Sequence, residues 1–405
     1  MGCILSQACG AEEDPIEAGG GDADKPTPRR LSRAKTTLLV SEPPDAVAAN
    51  ARKTGRRSDD SAPLLGVARD ARVVYGGGIP GTALDAERVE LPEFTGAREG
   101  GYASASGRLR WGARTRAGND PMRRRKENQD SFCVADALGG DKQLTFFSVF
   151  DGHGPEGAFV SHFVREAYHE SFADAYAARA AWPSAGARKA SVSCDVVSEA
   201  FQLAARAVTE QLTDSAIDIS VSGTTAVGLL VSDRDVFVAN VGDSRAVVAQ
   251  FSEREAAYVL HCETRDHKPD VEEERQRIEA SNGRVFEWGT FRVWLQDVDM
   301  PGLAMSRSFG DAVAKTVGVT SDPEVALVDK VAFGRRDTPS FAVLASDGVW
   351  EFMTSDECVA FVAQCILSAG MAPQEACDAL VEEAYERWSA EEDVVDDITV
   401  TVVYF

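Results

Sequence analysis

Five short acidic motifs hold the residues best suited to chemistry: Glu127-Asn128-Gln129-Asp130, Asp151-Gly152-His153-Gly154, Val241-Gly242-Asp243-Ser244-Arg245, Ala345-Ser346-Asp347-Gly348-Val349-Trp350 and Asp396-Asp397-Ile398-Thr399. Each sets an aspartate at a strand end or loop, where a rigid scaffold can hold a carboxylate in place. Taken singly, such a motif reads as a turn or a solvated strand edge. Four of the five flank strongly apolar runs, so neighbouring strands would bring their carboxylates to one end of a sheet. Several carboxylates share a small site only where cations offset their repulsion. Hard oxygen donors suit Mg²⁺ or Mn²⁺, and two such ions a few ångströms apart are common machinery for phosphoester hydrolysis. No HExxH sequence and no Cys/His cluster points to zinc.

The elements that must position these residues follow from periodicity. Strands are predicted at Leu144 to Phe150, Thr225 to Val231, Val236 to Asn240, Phe341 to Ala345 and Ile398 to Phe405, each bounded by Gly, Asp or Ser. Helical stripes run through Phe159, Phe163 and Ala167, and through Val197, Phe201, Val208 and Leu212. Thr354 with Glu357 forms a capping box that opens a helix to about Gly370, and Pro373 opens another that ends near Trp388. The Ala/Arg-rich stretch Ala177 to Lys189 reads as an exposed extension. Helices cluster instead of following every strand, which favours a layered α+β fold over a regular βαβ winding.

Composition sets outer limits. With 44% hydrophobic and 8% aromatic residues the chain reads as an ordinary globular protein, and no apolar stretch approaches the ~20 residues of a membrane-crossing helix. Residues 1–110 hold 15 Lys/Arg against 16 Asp/Glu, so of the net charge of −23 they carry −1 and residues 111–405 carry −22. An acidic surface of this kind repels nucleic-acid phosphate, so no nucleic-acid partner is expected. The eight cysteines form no CxxC pair and read as reduced intracellular thiols, with Cys133 packed in the core. Gly, Pro, Ser and Ala dominate the first ~100 residues, which read as a flexible region. Within it Gly76 to Thr82 lacks the lysine of a phosphate loop and reads as linker. The division expected is a flexible, lipid-modified 1–110 and a catalytic domain over 111–405.

The acidic motifs occur in a fixed order together with Ser222-Gly223-Thr224-Thr225-Ala226, Asp266-His267-Lys268-Pro269 and Leu303-Ala304-Met305-Ser306-Arg307-Ser308-Phe309-Gly310-Asp311. From about Trp111 to Phe405 this set resembles the metal-dependent protein phosphatases of type 2C. The resemblance implies a monomeric four-layer α/β/β/α sandwich with two central, mostly antiparallel sheets. It implies hydrolysis of phosphoserine and phosphothreonine in proteins by a water activated between two Mg²⁺ or Mn²⁺ ions. By that resemblance Asp151 bridges the ions with the Gly152 carbonyl on one of them, Asp347 and Asp396 bind the other, and Asp130 orients water. Asp243, with Asp347 and Glu351, matches a third and weaker metal position, although Asp243 also reads as a turn cap. His153 matches the general acid, and Arg125 the arginine that binds phosphate; Arg123, Arg124 and Lys126 crowd the same stretch and leave that choice open. Gln129 replaces a residue often acidic in the family and removes one charge. The segment Asn282 to Gly302 corresponds to a flap beside the cleft, with Trp288, Phe291 and Trp294 expected to influence substrate choice, although core packing explains the Trp294 region equally well. His162 and His169 read as surface or packing residues. Two other readings fit the same residues. One is a weakly active pseudophosphatase binding module, against which the intact aspartates 130, 151, 347 and 396 speak. The other is a phosphatase for a small phosphorylated metabolite, since a metal centre reads phosphate alone.

Met1-Gly2-Cys3-Ile4-Leu5-Ser6 fits the N-myristoylation pattern, with Cys3 beside it for palmitoylation. One acyl chain binds membranes only marginally. Residues 25–57 carry nine Lys/Arg against Glu42 and Asp45, a local +7 that would attract anionic lipid. Peripheral attachment, with the plasma membrane favoured, is the expectation.

Overall fold

A computed structural model describes residues 72–77, 102–104, 106–179, 193–335 and 337–405. The acylation motif, the basic stretch 25–57 and most of the Ala/Arg-rich extension lie outside these residues.

The run Thr145–Phe150 has no face to offer water, and all six residues are buried. Because side chains alternate along a strand, it serves two cores at once. Phe146 and Phe150 point to one that contains Cys133, Tyr168, Phe172 and Phe201. Phe147 and Val149 point to another with Phe132, Trp111, Leu229 and Leu344. Phe172 and Phe201 pack with ring centroids 4.3 Å apart. Burying each such ring contributes about 2–3 kcal/mol, and Phe146→Ala would cost about 3–5 kcal/mol.

Two six-stranded sheets result. The first runs in the order Arg72–Gly77, Ser131–Asp136, Thr145–Phe150, Ala226–Val231, Val236–Val241, Glu324–Val328. The second runs Ala257–Glu263, Arg245–Ser252, Phe341–Ala345, Ile398–Tyr404, Arg110–Arg116, Tyr102–Ala103. Neighbouring strands within each are antiparallel. The core holding Phe147 and Leu344 lies between the sheets. Helices Gly157–Arg179 and Cys194–Thr213 cover the outer face of the first sheet. Helices Ser355–Ala369 and Pro373–Glu391 cover the second. This is the α/β/β/α sandwich expected. The Thr354 box is present: its Oγ1 accepts from Glu357 N while Glu357 Oε2 accepts from Thr354 N, and Gly370 closes the helix at φ 60°.

Three expectations are corrected. Strands Arg72–Gly77 and Tyr102–Ala103 fall inside the segment assigned to a flexible 1–110, and Val73 and Val74 pair with Ala135 and Val134. The folded part therefore begins well before Trp111; a short β-branched run ahead of three glycines was outweighed by its surroundings. In Gly157–Arg179 the fully buried stripe is Val160, Val164, Tyr168 and Phe172, with Phe163 and Ala167 flanking it and Phe159 exposed. That helix also takes in residues 177–179, and the final helix continues three residues past Trp388.

Candidate metal and phosphate site

Strand register delivers the aspartates. Ser131 pairs with Phe150, so Asp130 and Asp151 leave the same end of the first sheet. Ala345 pairs with Val400, so Asp347 and Asp396 leave one end of the second. Ser346 ties the two ends together: its Oγ donates to Asp130 Oδ2 at 2.6 Å and accepts from Thr399 N at 3.0 Å. Asp151 is held through its backbone. Its N donates to Thr225 Oγ1 (3.0 Å), and its O accepts from Thr225 N (2.9 Å) and Thr224 Oγ1 (3.0 Å). The Ser222–Ala226 motif thus fixes the central carboxylate as well as opening a strand. Gly152 has no alternative: a Cβ there would lie 2.4 Å from Gly157 O and 2.5 Å from Gln129 O.

Electrostatics show the carboxylates converging. Burial pushes Asp151 well above the usual carboxylate range, and Asp130, Asp347, Asp396 and Asp243 push it further. Asp130 is raised by burial and by Asp397. Asp347 is pushed up to about 7 by burial and by Asp243 and Asp396, with Lys268 opposing. Like charges short of positive charge prefer protons, and a divalent cation relieves the same repulsion. Two lysines supply part of the compensation. Lys126 Nζ bonds Asp396 Oδ1 and lies 3.3 Å from Asp397 Oδ2. Against the burial that would raise it, this ammonium holds Asp396 below the usual range. Lys268 Nζ bonds Asp243 Oδ2. Among the described residues no three acidic, His or Cys side chains form a ready-made clasp. The donor set is nonetheless hard oxygen throughout and short of positive charge, which fits Mg²⁺ or Mn²⁺.

His153 lies in a three-stranded patch of Gly152–His153, Gly223–Thr224 and Phe309–Gly310. Its Nε2 meets Asp311 Oδ2 at 2.7 Å, and Ser308 Oγ donates to the same oxygen at 2.6 Å. Burial alone would lower the His153 pKa, but Asp311 outweighs it and holds the imidazole above its usual range. Burial pulls the nearby Lys315 down to about 8. Gly223 allows the pair to form, since a Cβ there would stand 2.1 Å from Asp311 Oδ2 and 2.7 Å from His153 Nε2. His153 Nδ1 is buried without a hydrogen-bond partner.

The basic run separates. Arg124 closes a turn on Asp120, with Nε at 2.8 Å and Nη2 at 2.7 Å from Oδ2. Arg123 is exposed at φ 58°, and Lys126 turns to Asp396. Arg125 faces Asn119 in an isolated bridge and lines a cavity with Arg114 and Arg116. Gln129 does not join the carboxylates: its Nε2 donates to Gly154 O at 2.7 Å. Glu351 is exposed just past the helix Asp347–Trp350. In the flap region the strands Gly283–Trp288, Thr290–Leu295 and Pro301–Leu303 form a sheet. Trp294 is buried between Phe286 (4.9 Å) and the exposed Trp288 (5.4 Å).

The profile of the protein phosphatase 2C family matches residues 116–393. The chain belongs to that family. It is 34% identical over 301 residues to probable protein phosphatase 2C 35 of Arabidopsis thaliana, covering 69% of this chain and 78% of that one. It is 37% identical over 305 residues to probable protein phosphatase 2C 48 of Oryza sativa subsp. japonica, covering 69% and 80%. The crystal structure of a serine-threonine phosphatase 2C from Toxoplasma gondii shares the fold, with a TM-score of 0.61 at 22% identity over 76% of this chain and 97% of that one. Membership makes the chain a protein serine/threonine phosphatase dependent on Mg²⁺ or Mn²⁺.

Several residues of this phosphatase site had no assigned role in the sequence. Asp311 stands at the end of a recognised motif, but its partner His153 is 158 positions away. Asp397 accepts from Gly118 N (2.8 Å) and Gln129 N (2.9 Å) and so fastens the arginine-bearing loop. Lys268 stands in the Asp266–Pro269 motif and Lys126 in the basic run, but the carboxylate each one meets lies far along the chain or outside its motif.

Proposed function

We propose that this phosphatase hydrolyses phosphoserine and phosphothreonine directly, as a monomer, with two divalent ions held by Asp151, the Gly152 carbonyl, Asp347 and Asp396. When bound, the ions supply the positive charge that makes water nucleophilic near neutral pH and offsets the charge of the phosphate. Asp130, fixed by Ser346, orients water at their side. Arg125 binds phosphate oxygens through its planar fork. Arg125 lines a cavity together with Arg114 and Arg116, which favours it for that work. Asp311 holds the His153 imidazole above its ordinary pKa, which favours His153 as the donor of a proton to the departing seryl or threonyl oxygen. Asp243 is engaged by Lys268, so a third ion there would compete with an ammonium.

The observation that carries this reading is that strand register brings Asp130 and Asp151 from one sheet and Asp347 and Asp396 from the other to strand ends joined by the Ser346–Asp130 hydrogen bond. The test is hydrolysis of a phosphothreonine peptide by wild type and Asp151→Asn, with and without Mn²⁺. Turnover is expected only for wild type with metal. Equal and negligible rates in all four conditions would mean a binding module instead, and preference for small phosphoesters over peptide would indicate a metabolite enzyme.

For the N-terminus we propose myristoylation at Gly2 and palmitoylation at Cys3, supported by the motif and the +7 stretch at residues 25–57. A Gly2→Ala variant that stays on plasma membranes in fractionated cells would remove this proposal.

A further inference from the structure

A cavity of about 410 Å³ opens beside the proposed phosphate-binding Arg125, with Arg114, Arg116, Asn119, Thr115 and Tyr385 on its walls. No acidic residue lines it. That is an unusual lining for a chain of net charge −23. The arginines are positioned by the fold. Arg114 and Arg116 alternate along the strand Arg110–Arg116, so they point to the same face. Glu382, on the helix Pro373–Glu391, takes Arg114 Nη2 on one oxygen (2.5 Å) and Arg116 Nη1 on the other. Arg114 Nη1 also donates to Asp378 O (3.3 Å) and lies 3.9 Å from its carboxylate. The Arg116 guanidinium lies 3.4 Å over the Tyr385 ring, and Tyr385 OH accepts from Asn119 Nδ2 (2.5 Å). Arg114 and Arg116 each have five N–H donors, more than these contacts use.

The cavity is coupled to the reacting end of the site. Arg116 pairs with Ile398, two residues from Asp396. The loop that carries Asn119 and Arg125 is fastened by Gly118 N to Asp397 Oδ1 (2.8 Å) and by Lys126 N to Gly118 O (3.1 Å). An anion held there lies next to the phosphate that Arg125 would grip.

We infer that this cavity is a second anion subsite that reads an acidic side chain of the protein substrate close to the phosphorylated residue. The inference rests on the phosphatase reading for the identity of its occupant. Arginine forks suit a carboxylate or phosphate, and Tyr385 adds a flat wall for the side-chain stem. The subsite acts on recognition and not on the chemical step, so it moves KM and leaves kcat aside.

The test uses the full chain with Mn²⁺ and two sets of phosphothreonine peptides, one with neutral flanks and one with glutamate placed in turn at the three positions on either side. Wild type is expected to favour one glutamate placement by about tenfold in kcat/KM through KM, the scale of one charge-assisted contact. Arg116→Gln should bring that ratio towards one. Glu382→Gln, which breaks the same ion pairs but frees the two arginines, should raise it. A merely structural role would move both variants the same way. A ratio near one in wild type for every placement, or a ratio that neither variant changes, overturns the inference. Fluorescence anisotropy of labelled, non-hydrolysed peptides separates the two readings. A glutamate preference in binding that Arg116→Gln abolishes, without turnover in wild type, would sink the phosphatase reading and keep the subsite.

Discussion

The ammonium of Lys126 rests on the carboxylate of Asp396, one of the side chains proposed to hold a divalent ion. Lys126 thus supplies in the metal-free chain part of the charge that an ion would bring, and the two compete. Lys126→Met removes the competitor. Mn²⁺ affinity measured by calorimetry is expected to rise about fivefold, the upper scale of one partly exposed ion pair. In EDTA the variant should melt at a lower temperature, because Asp396 then faces its acidic neighbours alone. Unchanged or weaker Mn²⁺ binding would show that the lysine does not oppose the ion.

Asp347 gives the site a pH signature. Its carboxyl is pushed up to about 7 in the fold, above its value in the unfolded chain. Between those values the folded state holds a proton that the unfolded state has released, so this group costs stability increasingly as pH rises from about 4 to about 7. Asp347→Asn removes that cost. In EDTA its melting temperature relative to wild type should climb across this interval. With Mn²⁺ the sign reverses, because wild type gains a ligand-linked stabilisation that the variant lacks. A difference that stays flat from pH 4 to 7 in EDTA would show that Asp347 is not strained by its neighbours.

Asp311 acts on the reaction through His153, which it holds at 2.7 Å and keeps above the usual histidine pKa. In Asp311→Asn burial is no longer outweighed, so His153 loses its proton at lower pH. The basic limb of kcat/KM for a phosphothreonine peptide should shift to lower pH. Hydrolysis of p-nitrophenyl phosphate, whose leaving group needs no proton, should keep its profile. Equal shifts for both substrates would deny His153 the role of general acid.

What could be read from the sequence was local. A capping box, a proline at a helix start and an aspartate at the end of an apolar run each carry their meaning within a few residues. Strands such as Thr145–Phe150 and Phe341–Ala345 were therefore legible, and with them the ends that position Asp151 and Asp347. The helix Gly157–Arg179 shows where locality fails. Two apolar stripes one residue apart, through Phe159 and through Val160, both repeat every fourth position, and only packing against the sheet selects the second. The strand Arg72–Gly77 was obscured because its partner, Ser131–Asp136, lies far along the chain. The same holds in the site. Ser346 meets Asp130 across 216 positions, and Lys126 meets Asp396 across 270. No spacing rule announces such pairs, because the stacking of the two sheets creates them.

Glu274 is a buried charge away from the metal site. Its side chain is 1% exposed, yet it is charged, and three partners make that tolerable. Arg277 donates to both oxygens (2.8 and 2.6 Å), Arg307 to Oε1 at 2.7 Å, and Ser306 Oγ to Oε2 at 2.5 Å. Burial would raise its pKa, but the two guanidiniums and the hydroxyl hold it far below the usual range. Arg307 and Ser306 belong to the Leu303–Asp311 motif, so Glu274 anchors the segment that ends at Asp311. Glu274→Ala leaves two guanidiniums without their shared partner and should cost about 3–5 kcal/mol in urea denaturation. The double variant Glu274→Met with Arg307→Met removes charge from both sides and should lose less than the two single variants added together. Strict additivity would mean that the carboxylate and the guanidinium stabilise the fold independently, and the anchor would have to be sought elsewhere.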